Sequence, residues 1–144
     1  MKLYPPVLTA AAAGAMVALD RWGPMARMVP HNPWGAAPAV LGVSLVLWAA
    51  WTMRRRGTTL DPHGQASSLV VTGPFRVSRN PIYLGLALIL VGLAGSLGSS
   101  APWGILAAWV FAMNHVFIER EEAMLAETFG AAFAAYAAKV RRWF

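Results

Sequence analysis

The 144-residue chain is 58% apolar and only 12% charged, which is about half of the roughly 25% charged residues of a soluble domain. This composition excludes an intrinsically disordered chain, and the absence of cysteine excludes a disulfide scaffold and thiolate metal sites. The net charge of +6 does not indicate nucleic-acid binding, because the basic residues stand at the ends of apolar tracts rather than on one polar helix face. The sequence therefore predicts one all-α integral membrane domain over residues 1–144.

Four apolar segments follow one another and predict about four transmembrane helices, at about residues 6–22, 36–53, 81–97 and 101–118. A bilayer core needs roughly 20 helical residues, with a range of about 17–25, and the last three segments meet the lower limit. The first segment is short and rich in alanine, and it can be interpreted as a signal peptide or as a retained helix. Pro5 and Pro6 suit the first turn of a helix, so we expect a retained helix, whether or not it spans the bilayer fully.

The 12 lysines and arginines are divided unequally between the two sides that four spans create. One side holds only Arg21 and Arg27. The other side holds the rest, namely Lys2, Arg54, Arg55, Arg56, Arg76, Arg79, Arg120, Lys139, Arg141 and Arg142. By the positive-inside rule, this predicts that both termini and a central loop at 54–80 are cytoplasmic. We expect a protein of the inner (cytoplasmic) membrane whose partner is the lipid bilayer. We do not expect it to bind nucleic acid, and the sequence does not specify a protein partner.

A polar tail follows the fourth segment and predicts an amphipathic helix over residues 119–142. Its apolar residues recur at steps of three and four and form one helical stripe, which comprises Leu125, Phe129, Phe133, Tyr136 and Val140. Gly130 is expected to bend or interrupt this helix. The tail either lies on the membrane surface or folds back over the spans. Glu119 and Glu122 share a helix face, and either they are solvated or one carboxylate turns inward, with Arg79 as a possible partner.

One ordered set of motifs is the most distinctive feature of the chain. It consists of the segment Leu69–Gly85, then Glu119–Glu122, and then a series of single positions at Leu125, Phe129, Gly130, Tyr136, Val140 and Arg142. This set resembles the isoprenylcysteine carboxyl methyltransferase and phospholipid methyltransferase superfamily. The resemblance covers Gly57 to Arg142, and it implies an integral membrane enzyme that uses S-adenosylmethionine and releases S-adenosylhomocysteine.

The resemblance also implies a site at the cytoplasmic interface, where the central loop and the tail helix close over the cofactor. The cofactor-binding residues would be Ser67, Ser68, Leu69, Val70, Phe75, Asn80, Pro81, Ile82, Tyr83 and Glu121. Arg79 and Glu122 fall in the same motifs and are the candidate catalytic residues. The methyl acceptor would be an amphiphilic or lipid-like small molecule that enters sideways between helices. No metal is expected, because three scattered histidines do not form a metal site.

Two positions depart from the family pattern. Asn80 replaces the usual histidine, and the arginine that eukaryotic carboxyl methyltransferases carry before the glutamates is absent, with His115 and Phe117 at the nearby positions. The second departure argues against a prenylcysteine carboxylate as the substrate. Two alternative functions stay open: a non-enzymatic four-helix scaffold or assembly subunit, and a membrane reductase. The reductase would need a nicotinamide site, and no glycine-rich dinucleotide motif is evident.

Overall fold

A computed structural model describes residues 4–23, 32–57 and 67–144, and all of the regular elements in these ranges are helical. The α-helices are α1 (Pro5–Trp22), α2 (Ala36–Arg55), α3 (Pro81–Leu97), α4 (Ala101–Ala112) and α5 (Glu119–Ala137). A π-helical stretch, Met113–Ile118, joins α4 to α5, so that Ala101–Ala137 is one continuous helix. The predicted all-α class is confirmed. Lys2, Arg27 and residues 58–66 of the predicted cytoplasmic loop lie outside the described residues.

Proline and glycine set the helix ends as their backbone chemistry requires. Pro5 and Pro81 occupy the first turns of α1 and α3, where the missing N–H costs no hydrogen bond. Asn80, directly before Pro81, leaves the helical region with φ −128°. Gly98 ends α3 with φ +80°, a conformation that glycine adopts without strain, and its N–H donates to the carbonyl of Ala94. The four apolar helices therefore begin and end close to the predicted residues.

Helices α2 and α3 form the closest contact of the fold, along a line of small residues. A Cβ at Gly42 would collide with the carbonyl oxygen of Gly85. A Cβ at Gly85 would lie 2.6 Å from Cγ2 of Val46, and one at Gly92 would lie 2.7 Å from Cβ of Ala39. We call this contact the α2–α3 seam. Such close backbone approach is the usual way in which membrane helices pack, and here it fixes where α3 begins relative to α2.

The core of the bundle lies between α1, α3 and α4. Met16 of α1, Leu90 of α3, and Met113 and Ile118 of the π-helical stretch are all 0% exposed and share one cluster. Burying such side chains stabilises the fold by about 1.5–3 kcal/mol each relative to exposure. The first helix is therefore an integral part of this bundle.

In the part of the chain that the structure describes, two helices are long and apolar enough to cross a membrane, α2 and Ala101–Ala137. Helix α3 is also apolar but has 17 residues. The outward side of α2 carries Val40, Leu41 and Leu47, each 65% exposed, which suits contact with lipid tails. The count of four spans and the orientation of the chain stay predictions.

The tail differs from the prediction at its end. Helix α5 ends at Ala137 rather than at residue 142, and Gly130 interrupts it with φ +49° and ψ −120°, as expected for this glycine. Residues 138–144, which we call the C-terminal strap, turn back toward the segment before α3. The main-chain N–H of Arg79 donates to the carbonyl of Arg141 at 2.9 Å, and Trp143 packs against the core cluster. The strap therefore folds back onto the bundle, whereas the position of helix α5 relative to a membrane surface stays a prediction.

Candidate active site

A small cavity of about 80 Å³ lies where the end of α2, the segment before α3, and α5 meet. Its walls are mostly apolar, with a few polar groups converging on it, which is the usual make-up of a small-molecule site. The lining residues are Met53, Ser68, Leu69, Val70, Phe75, Arg79, Asn80, Glu122, Leu125, Phe133 and Tyr136.

The segment before α3 is fixed to the end of α2 by short polar contacts and by a small apolar cluster. Ser67 and Ser68 donate their hydroxyl hydrogens to the carbonyls of Gly57 and Arg56, at 2.8 and 3.1 Å. Val70 and Phe75 are buried against Ala49 of α2. The hydroxyl of Tyr136 on α5 donates to the carbonyl of Phe75 at 2.7 Å, which closes the cavity from the opposite side.

Tyr83 and Glu121 connect α3 to α5 beside the cavity. The Tyr83 hydroxyl donates a 2.6 Å hydrogen bond to Oε1 of Glu121, and Tyr83 is only 5% exposed. Burial raises the pKa of the Glu121 carboxyl to about 7, while the hydrogen bond from Tyr83 opposes this shift and the charge of Glu122 adds to it. Glu121 is therefore a carboxyl group that titrates near neutral pH.

Glu122, the next residue, has the opposite electrostatic environment. Arg79 donates to its Oε1 from Nε and Nη2 at 3.1 and 3.0 Å, and Nη2 of Arg142 donates to its Oε2 at 2.8 Å. Burial alone would raise the pKa of Glu122, but the hydrogen bonds and charges of the two arginines outweigh it and hold the pKa below its ordinary value. Glu122 is therefore ionised at neutral pH and is held in a fixed orientation.

The comparisons with known proteins identify the family of the chain. The family model described as phospholipid methyltransferase matches residues 32–132. The chain belongs to the phospholipid methyltransferase family. An uncharacterized protein of Haemophilus influenzae is 39% identical over 62 residues, which cover 43% of this chain and 98% of that protein. No solved structure matches the chain.

The structure brings most of the residues expected from the family resemblance to one place. Seven of them line the cavity: Ser68, Leu69, Val70, Phe75, Arg79, Asn80 and Glu122. Tyr83 and Glu121 lie beside it and bond to each other. Ser67, Pro81 and Ile82 are outside the lining: the Ser67 hydroxyl faces Gly57, Pro81 is fully buried, and Ile82 packs between the two apolar clusters. The assignment of these residues to cofactor binding stays a prediction.

Four residues that line the cavity were not among the site residues predicted from the sequence. Leu125, Phe133 and Tyr136 belong to the apolar stripe of the tail, whose period was visible in the sequence although its target was not. Met53 carries no signal, because it is one apolar residue among many at the end of α2. An apolar stripe on a helix that follows an acidic cluster can therefore indicate the wall of a cavity as well as a surface that faces lipid.

A second polar cluster lies on the exposed side of the π-helical stretch. His115 Nδ1 is 3.1 Å from Glu119, and Asn114 bonds to both Glu119 and Arg142. Insertions of π-helix within α-helices occur often at functional sites. Among the described residues, no group of three His, Asp or Glu side chains could hold a metal ion.

Proposed function

We propose that the protein is a methyltransferase of the inner membrane, with both termini in the cytoplasm, that moves a methyl group from S-adenosylmethionine to an amphiphilic or lipid-like small molecule. One observation carries the proposal. The two segments that carry the family resemblance, Leu69–Gly85 and Glu119–Glu122, meet at one cavity, where Arg79 and Glu122 both line the wall and bind each other. Outside the lining, the Tyr83–Glu121 hydrogen bond joins the same two segments. Residues that serve only to anchor a helix at a membrane surface have no need to converge in this way.

The residues present fit the chemistry of the cofactor. Phe75 and Phe133 give apolar walls for an adenine ring, and aromatic faces and carboxylates both attract a sulfonium cation. Glu121 offers a carboxyl group that is bonded to the neutral Tyr83 hydroxyl, whereas the negative charge of Glu122 is already balanced by Arg79 and Arg142. The cavity of about 80 Å³ is smaller than typical ligand sites of roughly 300–1,000 Å³, so binding requires its walls to separate.

The two glutamates differ in the chemical role that each can take. When bound, S-adenosylmethionine supplies a methyl group on a positively charged sulfur. Methyl transfer depends mainly on alignment of the acceptor with that group, and Arg79, Glu122 and Asn80 form a rigid wall for this purpose. An amine or thiol acceptor must also lose a proton, and Glu121, with a pKa near 7, is suited to accept it. A carboxylate acceptor would need no base.

Calorimetry with the full chain in detergent tests the proposed function. S-adenosylhomocysteine is expected to bind with roughly micromolar affinity, corresponding to about −8 kcal/mol. The variants Glu121→Ala and Tyr83→Ala are expected to lose binding of S-adenosylmethionine while they keep their helical circular dichroism. An absence of both heat and thermal shift in the wild-type protein would contradict the assignment of a cofactor. Unchanged affinity in both variants would remove the proposed site.

A further inference from the structure

The C-terminal strap carries Arg142, whose side chain binds both α5 and the π-helical stretch next to the cavity. Arg142 donates to Oε2 of Glu122 from Nη2 at 2.8 Å and from Nε at 3.2 Å, and its Nη1 donates to Oδ1 of Asn114 at 3.0 Å. The strap lies outside residues 32–132, to which the family model applies. Arg142 also does not line the cavity.

The main chain at the same position is bonded to the segment before α3. The carbonyl of Arg142 accepts from the Ser78 hydroxyl at 3.1 Å and from Nδ2 of Asn80 at 3.3 Å. One residue thus connects the segment before α3, the π-helical stretch and α5. The segment before α3 and α5 carry residues that line the cavity, and the π-helical stretch carries the neighbouring polar cluster.

Both oxygens of the Glu122 carboxylate are bound by arginines, and Arg142 contacts both of them. Oε1 accepts from Nη2 of Arg79 at 3.0 Å, from Nε of Arg142 at 3.3 Å and from Asn80 at 3.4 Å. The hydrogen bonds to Oε2 among the described residues come from Nη2 and Nε of Arg142, at 2.8 and 3.2 Å. Two planar guanidinium groups that bind the two oxygens of one carboxylate fix the rotation of that carboxylate. Without Arg142, Oε2 would lose both of these hydrogen bonds, and the carboxylate could turn away from Arg79.

We propose that Arg142 is a positioning residue of the candidate cofactor site, and that it acts through Glu122 by holding this carboxylate against Arg79 and Asn80. The inference rests on the proposed function and adds to it a residue that touches neither the cavity nor the acceptor. The strap thereby determines the shape of the cavity wall that Glu122 and Arg79 form.

The test compares Arg142→Gln with Lys139→Gln in the full chain in detergent, with S-adenosylhomocysteine as the probe in calorimetry. Both substitutions remove one positive charge from the strap. The Lys139 side chain, however, is exposed and is not one of the cations that bind Glu122. Loss of a charge-assisted hydrogen bond predicts affinity weakened about tenfold by Arg142→Gln, and a change below about twofold for Lys139→Gln. Arg142→Lys keeps the charge without the planar fork, and we expect an intermediate loss of about threefold.

A second comparison separates positioning through Glu122 from a general loss of structure. In a Glu122→Gln background, Arg142→Gln is expected to change the affinity by less than about twofold, because the group through which it acts is already altered. A tenfold loss in both backgrounds, or no loss in either, would overturn the inference. If Arg142→Gln does not fold, the same cycle is run with Arg142→Lys. Wild-type protein that binds no cofactor would overturn the proposed function as well, whereas wild-type binding that is insensitive to Arg142 overturns the inference alone.

Discussion

The hydroxyl of Tyr83 lies 2.6 Å from Oε1 of Glu121, although 38 positions separate the two residues in the chain. This bond joins the start of α3 to the start of α5 and leaves Glu121 with a neutral donor rather than a cation. Its neighbour Glu122 is instead bound by Arg79 and Arg142. Two adjacent carboxyl groups on one helix thus have pKa values that are shifted in opposite directions.

Replacing Glu121 tests whether its carboxylate faces the positive sulfur of the cofactor. We expect Glu121→Gln to weaken S-adenosylmethionine binding at pH 8 by about tenfold or more, because a buried opposite charge is lost. S-adenosylhomocysteine has no sulfonium charge and should lose less. Glu127→Gln is the matched control, since Glu127 is exposed on the same helix. Calorimetry with both ligands measures the effect, and equal losses for the two ligands would contradict a contact with the sulfur.

The pKa of Glu121, at about 7, predicts a pH dependence of cofactor binding. Binding of S-adenosylmethionine should tighten as the pH rises from about 6 to 8, because the ionised carboxylate attracts the cation. The dependence should be absent in Glu121→Gln and weak for S-adenosylhomocysteine. Titrations at fixed ionic strength over this range measure it. A slope that persists unchanged in Glu121→Gln would assign the titration to another group.

The same shift predicts how the ligand-free protein responds to pH. The folded pKa of Glu121 lies above the ordinary value of 4.5, so the folded state holds a proton that the unfolded state releases. The contribution of this group to stability is therefore fully present below about 4.5 and is lost as the pH rises through about 7. Tm measured in detergent from pH 5 to 8 should fall less in Glu121→Gln than in the wild-type protein. The opposite order would contradict the burial of an ionisable Glu121.

Removing Arg79 should destabilise the fold as well as the site. Arg79 bonds to Glu122 and to the carbonyls of Ala137 and Val140, with a side chain that is 15% exposed. Arg79→Gln leaves Glu122 with one cation, and breaking a largely buried ion pair costs about 3 kcal/mol. The exposed Arg76 provides the control Arg76→Gln. The double variant Arg79→Gln/Glu122→Gln should cost less than the sum of the single changes in thermal unfolding, and strict additivity would argue against the pair.

The α2–α3 seam predicts a steric effect away from the site. Gly85→Ala places a Cβ 2.6 Å from Val46, and overpacking of this kind costs about 1–3 kcal/mol. Gly104→Ala is the matched control in α4, because a Cβ there meets no described atom within 4 Å. Alanine is favoured over glycine in a helix by up to about 1 kcal/mol, so this control should be neutral or stabilising. Thermal unfolding of both variants tests the contrast.

The helices could be predicted from the sequence because apolar segments and prolines are local signals. Pro81 and Gly98 mark the two ends of α3 within the segment itself, and Gly130 marks the interruption of α5. The end of α5 at Ala137 could not be predicted, because its apolar stripe continues to Val140. In that last turn, contacts with the segment before α3 outweigh the helical period.

The site was predictable only where the family resemblance supplied it. The inward turn of Glu122 was one of two open interpretations, and Arg79 as its partner lies 43 positions away. Nothing in the local sequence specifies such a pairing, because it depends on how α3 and α5 pack. Arg142 was one of the positions that carried the family resemblance, but its bonds to Glu122 and Asn114 could not be predicted, because they depend on how the C-terminal strap folds back.

The backbones of α2 and α3 touch at Gly42 and Gly85, where a Cβ on either residue would collide with the carbonyl oxygen of the other. Because the obstacle is a main-chain atom, no exchange of the facing side chain can relieve it. In lineages that share this fold, positions 42 and 85 should therefore stay glycine, whereas the outward positions of α2 can exchange among apolar types.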